Sequence, residues 1–143
     1  MLNKKLLLKY LLPFIFLVSL VATFGSLYFS EILKLPACSL CWYQRVFMYP
    51  IALISAVGLF RKDKNSIFYV LPLAIVGLGI AIYHNLLYYG IIPESAQPCT
   101  IGISCTIRQL EWFGLLSIPL LSLFAFIMIT ASSLLYLKIS KKN

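Results

Sequence analysis

Four cysteines occur in two close pairs, and their thiols are the most reactive groups in the sequence. Cys38 and Cys41 form a C-x-x-C motif, whereas Cys99 and Cys105 are separated by five residues. Four cysteines allow three pairings, of which local pairing (38 with 41, 99 with 105) closes small loops. A disulfide within a C-x-x-C motif closes a very small ring and contributes little to stability, because disulfide stabilisation grows with loop length. Its usual role is thiol–disulfide exchange, which the spacing favours here.

Two structural alternatives remain open for these cysteines. Two disulfides could simply pin two loops of a membrane scaffold, or four thiolates could bind zinc. The C-x5-C spacing is wider than in most zinc knuckles, and a compartment that favours oxidised thiols works against a zinc site. The redox interpretation is therefore favoured over both.

Polar residues near the first pair could complete a site. Pro36 precedes the C-x-x-C motif and indicates that a helix starts there, which places Cys41 near a helix N-terminus, where partial positive charge stabilises a thiolate. Arg45 follows Cys41 by four residues and should lie on the same helix face, ~5–6 Å away. A cation there favours a thiolate on Cys41, although an arginine can also snorkel to lipid headgroups.

His84 is the only histidine of the chain. It lies six residues before Gly90, about 9 Å below the outer end of its predicted helix and at a depth similar to that of Arg45. The two side chains could line a shared pocket, or His84 could be a hydrogen-bonded interior residue. Gln44 could hydrogen-bond either a ligand or a neighbouring helix.

The elements that must position these residues are four apolar blocks. They cover about residues 10–30, 42–60, 67–89 and 113–137, in a chain of 143 residues that is 62% hydrophobic and 11% charged. A block of ~20 apolar residues spans the hydrocarbon of a bilayer as a helix. The sequence predicts an all-α membrane protein, a four-transmembrane-helix bundle forming one domain over 1–143. The first block is longer than a signal peptide and has no small-residue cleavage site, so we expect it to be retained.

The net charge of +8 is distributed as in a membrane protein rather than a nucleic-acid-binding protein. Nine of the twelve lysines and arginines lie at one side of the predicted bundle: three before the first span, three between the second and third, and three after the last. Positive residues concentrate on the cytoplasmic side. The pattern predicts cytoplasmic termini and places both cysteine pairs outside.

The run Cys38-Ser-Leu-Cys-Trp-Tyr-Gln-Arg45 at the head of the second span, followed by a later outer cysteine pair, resembles the DsbB family of disulfide-bond formation proteins. The compact loops and the short C-x5-C pair look most like its BdbC branch from Gram-positive bacteria. The resemblance covers essentially the whole chain, and His84 matches a histidine that the family tends to carry late in the third span. The third loop here is shorter than in the better-known DsbB proteins.

The resemblance implies a quinone-dependent protein disulfide oxidoreductase in a bacterial cell membrane, with disulfides Cys38–Cys41 and Cys99–Cys105. A reduced DsbA- or BdbD-type thioredoxin-like protein would form a mixed disulfide with Cys99. Cys105 would then pass electrons to Cys38, and Cys41 would face a quinone, either menaquinone or ubiquinone. Arg45, His84 and, as a further candidate, Gln44 would bind that quinone. The non-enzymatic alternative is a disulfide-stapled membrane scaffold or assembly subunit.

Overall fold

The computed structural model describes residues 4–93, 95 and 117–141 and contains four long helices within them. These are α1 (Lys4–Leu27), α2 (Ser39–Arg61), α3 (Ser66–Tyr88) and α4 (Ile118–Ser140), with a π-helical turn at Tyr28–Ile32 that continues α1. No strand occurs in the described ranges. All four helices are long and apolar enough to cross a membrane. The predicted all-α, four-span fold is confirmed, while Cys99, Cys105 and the predicted start of the last span at residue 113 lie outside the described residues.

The helices are arranged so that each packs against two others. α2 contacts α1 and α3, and α4 closes the bundle by contacting α3 and α1. Buried aliphatic and aromatic side chains from all four helices form the shared core, among them Ile15, Ile51, Val70 and Phe126. Large apolar side chains also cover the outside of the bundle, such as Phe60 at 87% and Leu53 at 68% exposure. An apolar outer surface of this extent suits contact with lipid rather than water.

The connection between α2 and α3 is tight because local hydrogen bonds cap the end of α2 and hold the turn that leads into α3. Lys62 adopts a left-handed conformation (φ 53°), and its N–H donates to carbonyls of the last turn of α2. The Asp63 carboxylate accepts from the Asn65 N–H at 2.9 Å. The backbone carbonyl of Asp63 accepts from the Ser66 hydroxyl at 2.8 Å. These contacts turn the chain within four residues, so α2 and α3 become antiparallel neighbours.

Gly77 sets how closely α3 and α4 approach. A Cβ atom at this position would overlap the ring of Phe126, which is fully buried. A Cβ at Gly79, two residues further along the same helix, would meet nothing within 4 Å. Small residues allow this kind of close backbone approach between membrane helices.

We therefore expect Gly77→Ala to destabilise the bundle by about 1–3 kcal/mol, the usual cost of overpacking a core. The thermal unfolding midpoint in detergent measures this effect. Gly79→Ala is the matched control and should be neutral or slightly stabilising, because alanine favours a helix more than glycine does. Equal midpoints for the two variants would show that the α3–α4 contact does not depend on Gly77.

Candidate functional site

The C-x-x-C motif lies at the start of α2, as its position after Pro36 suggests. Cys38 is the N-cap residue, with extended backbone (φ −71°, ψ 166°), and its carbonyl accepts from the Trp42 N–H at 3.2 Å. Cys41 is the third residue of the helix. Both sulfurs therefore lie at the end of α2 that carries the partial positive charge of the helix dipole.

The two cysteines are free thiols that face each other. Their Sγ atoms lie 3.2 Å apart, at hydrogen-bond distance; Cys38 is buried, whereas Cys41 is half-buried. The hydrogen bond with Cys41 lowers the pKa of Cys38 to about 4; burial opposes this effect, and His84 adds to it. In the reduced pair the thiolate therefore belongs to Cys38. The sequence predicts that the helix N-terminus and Arg45 favour a thiolate on Cys41; in the reduced pair the hydrogen bond between the two sulfurs favours the thiolate on Cys38 instead.

His84 reaches the pair from α3. Its Nε2 lies 3.7 Å from the Cys38 Sγ, and its Nδ1 lies 3.1 Å from the side-chain nitrogen of Gln44. In this orientation of the Gln44 amide its nitrogen donates to Nδ1, an arrangement that requires the tautomer with the ring proton on Nε2, facing the sulfur. The imidazole is 1% exposed. His84 is thus a hydrogen-bonded interior residue, which is one of the two alternatives, and its contact with Cys38 is one that the sequence did not predict.

Arg45 is held by the end of α1. Its guanidinium donates to the Ser26 hydroxyl at 2.7 Å, to the Ser26 carbonyl at 3.0 Å and to the Ser30 hydroxyl at 2.5 Å. It also lies over the Trp42 ring, 5.2 Å from the centroid. The serine and carbonyl acceptors are neutral, so they fix the guanidinium in place without cancelling its charge.

Ser26 and Ser30 were not singled out from the sequence. Ser30 belongs to the π-helical turn that follows α1, and such wide turns are frequent at functional sites. Their spacing of four residues places them on one helix face. That spacing, at the C-terminal end of the first span and level with Arg45, is the signal by which they could have been found.

An apolar cavity of about 540 Å³ joins these residues. Its polar end is formed by Cys38, Cys41, Gln44, Arg45 and His84, all five of the predicted site residues that the structure describes. Its walls come largely from α1 and α4 and include Leu17, Val21 and Phe124. These three side chains are also 54–63% exposed on the outside of the bundle. The cavity therefore reaches the lipid-facing surface between α1 and α4.

Comparison with known proteins places this arrangement in a family. The family model described as "Disulfide bond formation protein DsbB" matches residues 9–136. The chain belongs to the DsbB family. Its relatives include "Disulfide bond formation protein C" of Bacillus subtilis, 46% identical over 112 residues that cover 78% of this chain and 81% of the relative. "Probable disulfide formation protein C 2" of Bacillus anthracis is 40% identical over 135 residues, 94% of each chain.

The family extends beyond the genus Bacillus. A "Probable disulfide formation protein" of Metapseudomonas resinovorans is 42% identical over 120 residues, 83% of each chain. The chain has no significant match among solved structures. Membership of the DsbB family gives this chain a role in disulfide-bond formation, as a multi-pass membrane thiol oxidoreductase that works with a thiol-oxidase partner.

Proposed function

We propose that this DsbB-family chain reoxidises a thioredoxin-like, DsbA- or BdbD-type protein outside the cell and transfers its two electrons to a quinone in the membrane. One observation carries this proposal: a reactive cysteine pair lies at the polar end of an apolar cavity that reaches the lipid-facing surface. A thiol oxidase that used a water-soluble acceptor would gain nothing from such an opening. The cysteine pair would lie on the extracytoplasmic side, as the positive-inside distribution indicates.

The residues at the cavity fit a quinone by their chemistry. The apolar walls from α1 and α4 suit an isoprenoid chain, while the N–H groups of Arg45 and Gln44 suit carbonyl oxygens. Arg45, His84 and Gln44 are the residues proposed to hold the ring. When bound there, a quinone supplies the acceptor for the two electrons and two protons that leave the Cys38–Cys41 dithiol.

The outer cysteine pair (Cys99 and Cys105) would deliver the electrons to the inner pair (Cys38 and Cys41) by four successive thiol exchanges. A partner thiolate attacks the Cys99 sulfur, and the Cys99–Cys105 bond breaks with Cys105 as the leaving thiolate. Cys105 then attacks Cys38 of the oxidised inner pair and releases Cys41 as a thiolate. The second thiol of the partner displaces Cys99, and the partner leaves with a disulfide. Cys99 finally attacks Cys105, which restores the outer disulfide and leaves Cys38 and Cys41 reduced.

The described residues prepare the inner pair for its part of this sequence. The Nε2–H of His84 faces the Cys38 sulfur and stabilises its thiolate, while Gln44 fixes the orientation of the ring. Arg45 places a fixed positive charge in the wall of the cavity that Cys41 also lines. Such preorganised charge lowers the cost of negative charge that develops at the cavity end.

The test is a reconstituted assay with the full chain in liposomes, a reduced thioredoxin-like partner and menaquinone or ubiquinone. We expect two partner thiols to be oxidised for each quinone consumed, and no oxidation when either the chain or the quinone is omitted. Thiol loss that does not depend on quinone would contradict the proposed acceptor. A chain that never exchanges with the partner would instead be the disulfide-stapled scaffold.

We expect Arg45→Ala to raise the quinone concentration needed for half-maximal rate by ~10-fold or more, since a hydrogen bond to a charged group contributes about 1.5–3 kcal/mol. The rate at limiting quinone measures this change. Arg61→Ala is the control, because Arg61 is exposed at the opposite end of α2. Unchanged kinetics for Arg45→Ala would contradict a role of Arg45 in quinone binding and would leave it only its contacts with α1.

A further inference from the structure

The reduced cysteine pair and His84 form a set of three metal-binding atoms. The two Sγ atoms and a ring nitrogen of His84 all lie within 4.8 Å of one another. Cys38 and His84 are buried, and the half-buried Cys41 lines the cavity. Two cysteines and one histidine are a known zinc donor set, in which the fourth position stays open.

We propose that the reduced protein binds one thiophilic, redox-inert divalent cation, such as Zn²⁺, through Cys38, Cys41 and His84. Zinc bonds of ~2.3 Å to sulfur and ~2.0–2.1 Å to nitrogen place tetrahedral ligand atoms about 3.5–3.8 Å apart. The Cys38 and Cys41 sulfurs are 3.2 Å apart, and Cys38 Sγ is 3.7 Å from Nε2. The Cys41 sulfur and the His84 nitrogen lie within 4.8 Å of each other, so side-chain shifts of up to about 1 Å complete three of the four positions. All three residues line the cavity, from which a fourth ligand can come.

The charges of this site balance in a buried setting. Binding converts the reduced pair into two metal-bound thiolates and releases the protons that the two sulfurs still carry, while no electron moves because Zn²⁺ has no redox chemistry. Two thiolates and one divalent cation are neutral together, whereas an uncompensated thiolate pair would be costly away from water. The cation thus stabilises a form of the pair that is unfavourable without it.

Gln44 would support the metal site from behind His84. Coordination through Nε2 requires the ring proton to move to Nδ1, which then needs an acceptor. The Gln44 amide already lies 3.1 Å from Nδ1, and rotating it by half a turn presents its oxygen instead of its nitrogen. The same side chain therefore serves His84 in both proton arrangements.

Metal binding would hold the enzyme in its reduced state. With both sulfurs bonded to the cation, no disulfide can form between them until the metal leaves. Zinc would act as a reversible inhibitor that competes with reoxidation. This inference goes beyond the proposed function, because it needs only the reduced pair and neither the quinone nor the partner.

The experiment uses the full chain in detergent, carrying Cys99→Ser and Cys105→Ser so that only the inner pair is titrated. The protein is reduced with a phosphine, which does not itself supply thiols, and Zn²⁺ is added. We expect one bound Zn²⁺ per chain, accompanied by proton release, when the pair is reduced, and no binding when it is oxidised. Equal binding to both redox states would overturn the proposal.

Variants separate the three-ligand site from simple chelation by two thiols. We expect His84→Ala to weaken Zn²⁺ binding at least ~10-fold, and Gln44→Leu to weaken it by ~10–100-fold, as for other residues that orient a ligand. Ile82→Ala is the matched control on the exposed surface of the same helix. Affinity that is unchanged in His84→Ala would overturn the assignment. Because neither quinone nor partner is present, the outcome does not depend on the proposed function.

Discussion

Cys41→Ser is expected to reduce quinone-dependent thiol oxidation by at least ~10³-fold, since loss of a covalent catalytic residue can reduce a rate by as much as ~10⁶-fold. Serine has nearly the same shape, and its hydroxyl keeps a hydrogen bond within reach of Cys38, so the start of α2 should be unchanged. It cannot form a disulfide, and the inner pair can then neither accept electrons from the outer pair nor release them. Consumption of quinone during turnover, together with partner thiol loss, measures the effect.

The control for Cys41→Ser is Tyr43→Phe, two residues along the same helix. Tyr43 is 53% exposed and does not line the cavity, so this variant should turn over at the rate of the parent chain. Insertion and thermal unfolding of the serine variant should match the parent. Normal turnover by Cys41→Ser would refute the proposed path of electrons through the inner pair.

Cys105→Ser is expected to trap a covalent adduct between Cys99 and the reduced partner. In the parent chain, Cys105 lies six residues from Cys99 and should restore the outer disulfide quickly, because an intramolecular thiol acts at a high effective concentration. Without Cys105, the free Cys99 thiol attacks Cys38 of the oxidised Cys38–Cys41 pair, and the partner thiolate then attacks Cys99 and releases Cys38, so that the two electrons pass to the Cys38–Cys41 pair. The resulting bond between Cys99 and the partner can be resolved only by the second partner thiol. A partner that carries only its attacking cysteine should therefore accumulate as a nearly stoichiometric adduct, visible on a non-reducing gel.

The matched control is Cys99→Ser, which keeps Cys105 but removes the proposed attack site. It should form much less adduct with the same partner. An adduct that forms equally well in Cys99→Ser would refute the assignment of Cys99 as the attack site, and one that forms only in Cys99→Ser would assign the attack to Cys105. The absence of adduct in both variants would contradict partner oxidation through this loop.

Much of the fold follows from local properties that can be read along the chain. The four apolar blocks predict four helices, and the start of α2 follows from Pro36 and the C-x-x-C motif. Arg45 shares a helix face with Cys41 because a separation of four residues has only one geometry on a helix. The predicted and observed ends differ most in α1, which extends from Lys4 through a π-helical turn to Ile32. Hydropathy alone did not predict these bounds, because lysines interrupt the apolar run at its start and a serine and a glutamate interrupt it at its end.

The contacts between helices could not be predicted in the same way. A lone histidine in the third span is compatible with any rotation of that helix, and only packing points its Nε2 at Cys38 and its Nδ1 at Gln44. The capture of Arg45 by Ser26 and Ser30 likewise depends on α1 lying next to α2.

The sequence by itself therefore determined four membrane-spanning helices and a reactive cysteine pair at the start of the second, because hydropathy and helical periodicity are set by neighbouring residues. The tertiary structure decided which side chains surround that pair and that a cavity leads from it to the lipid-facing surface between α1 and α4. The physical reason is that the rotation and spacing of helices depend on contacts such as that of Gly77 with Phe126, between residues far apart in the chain.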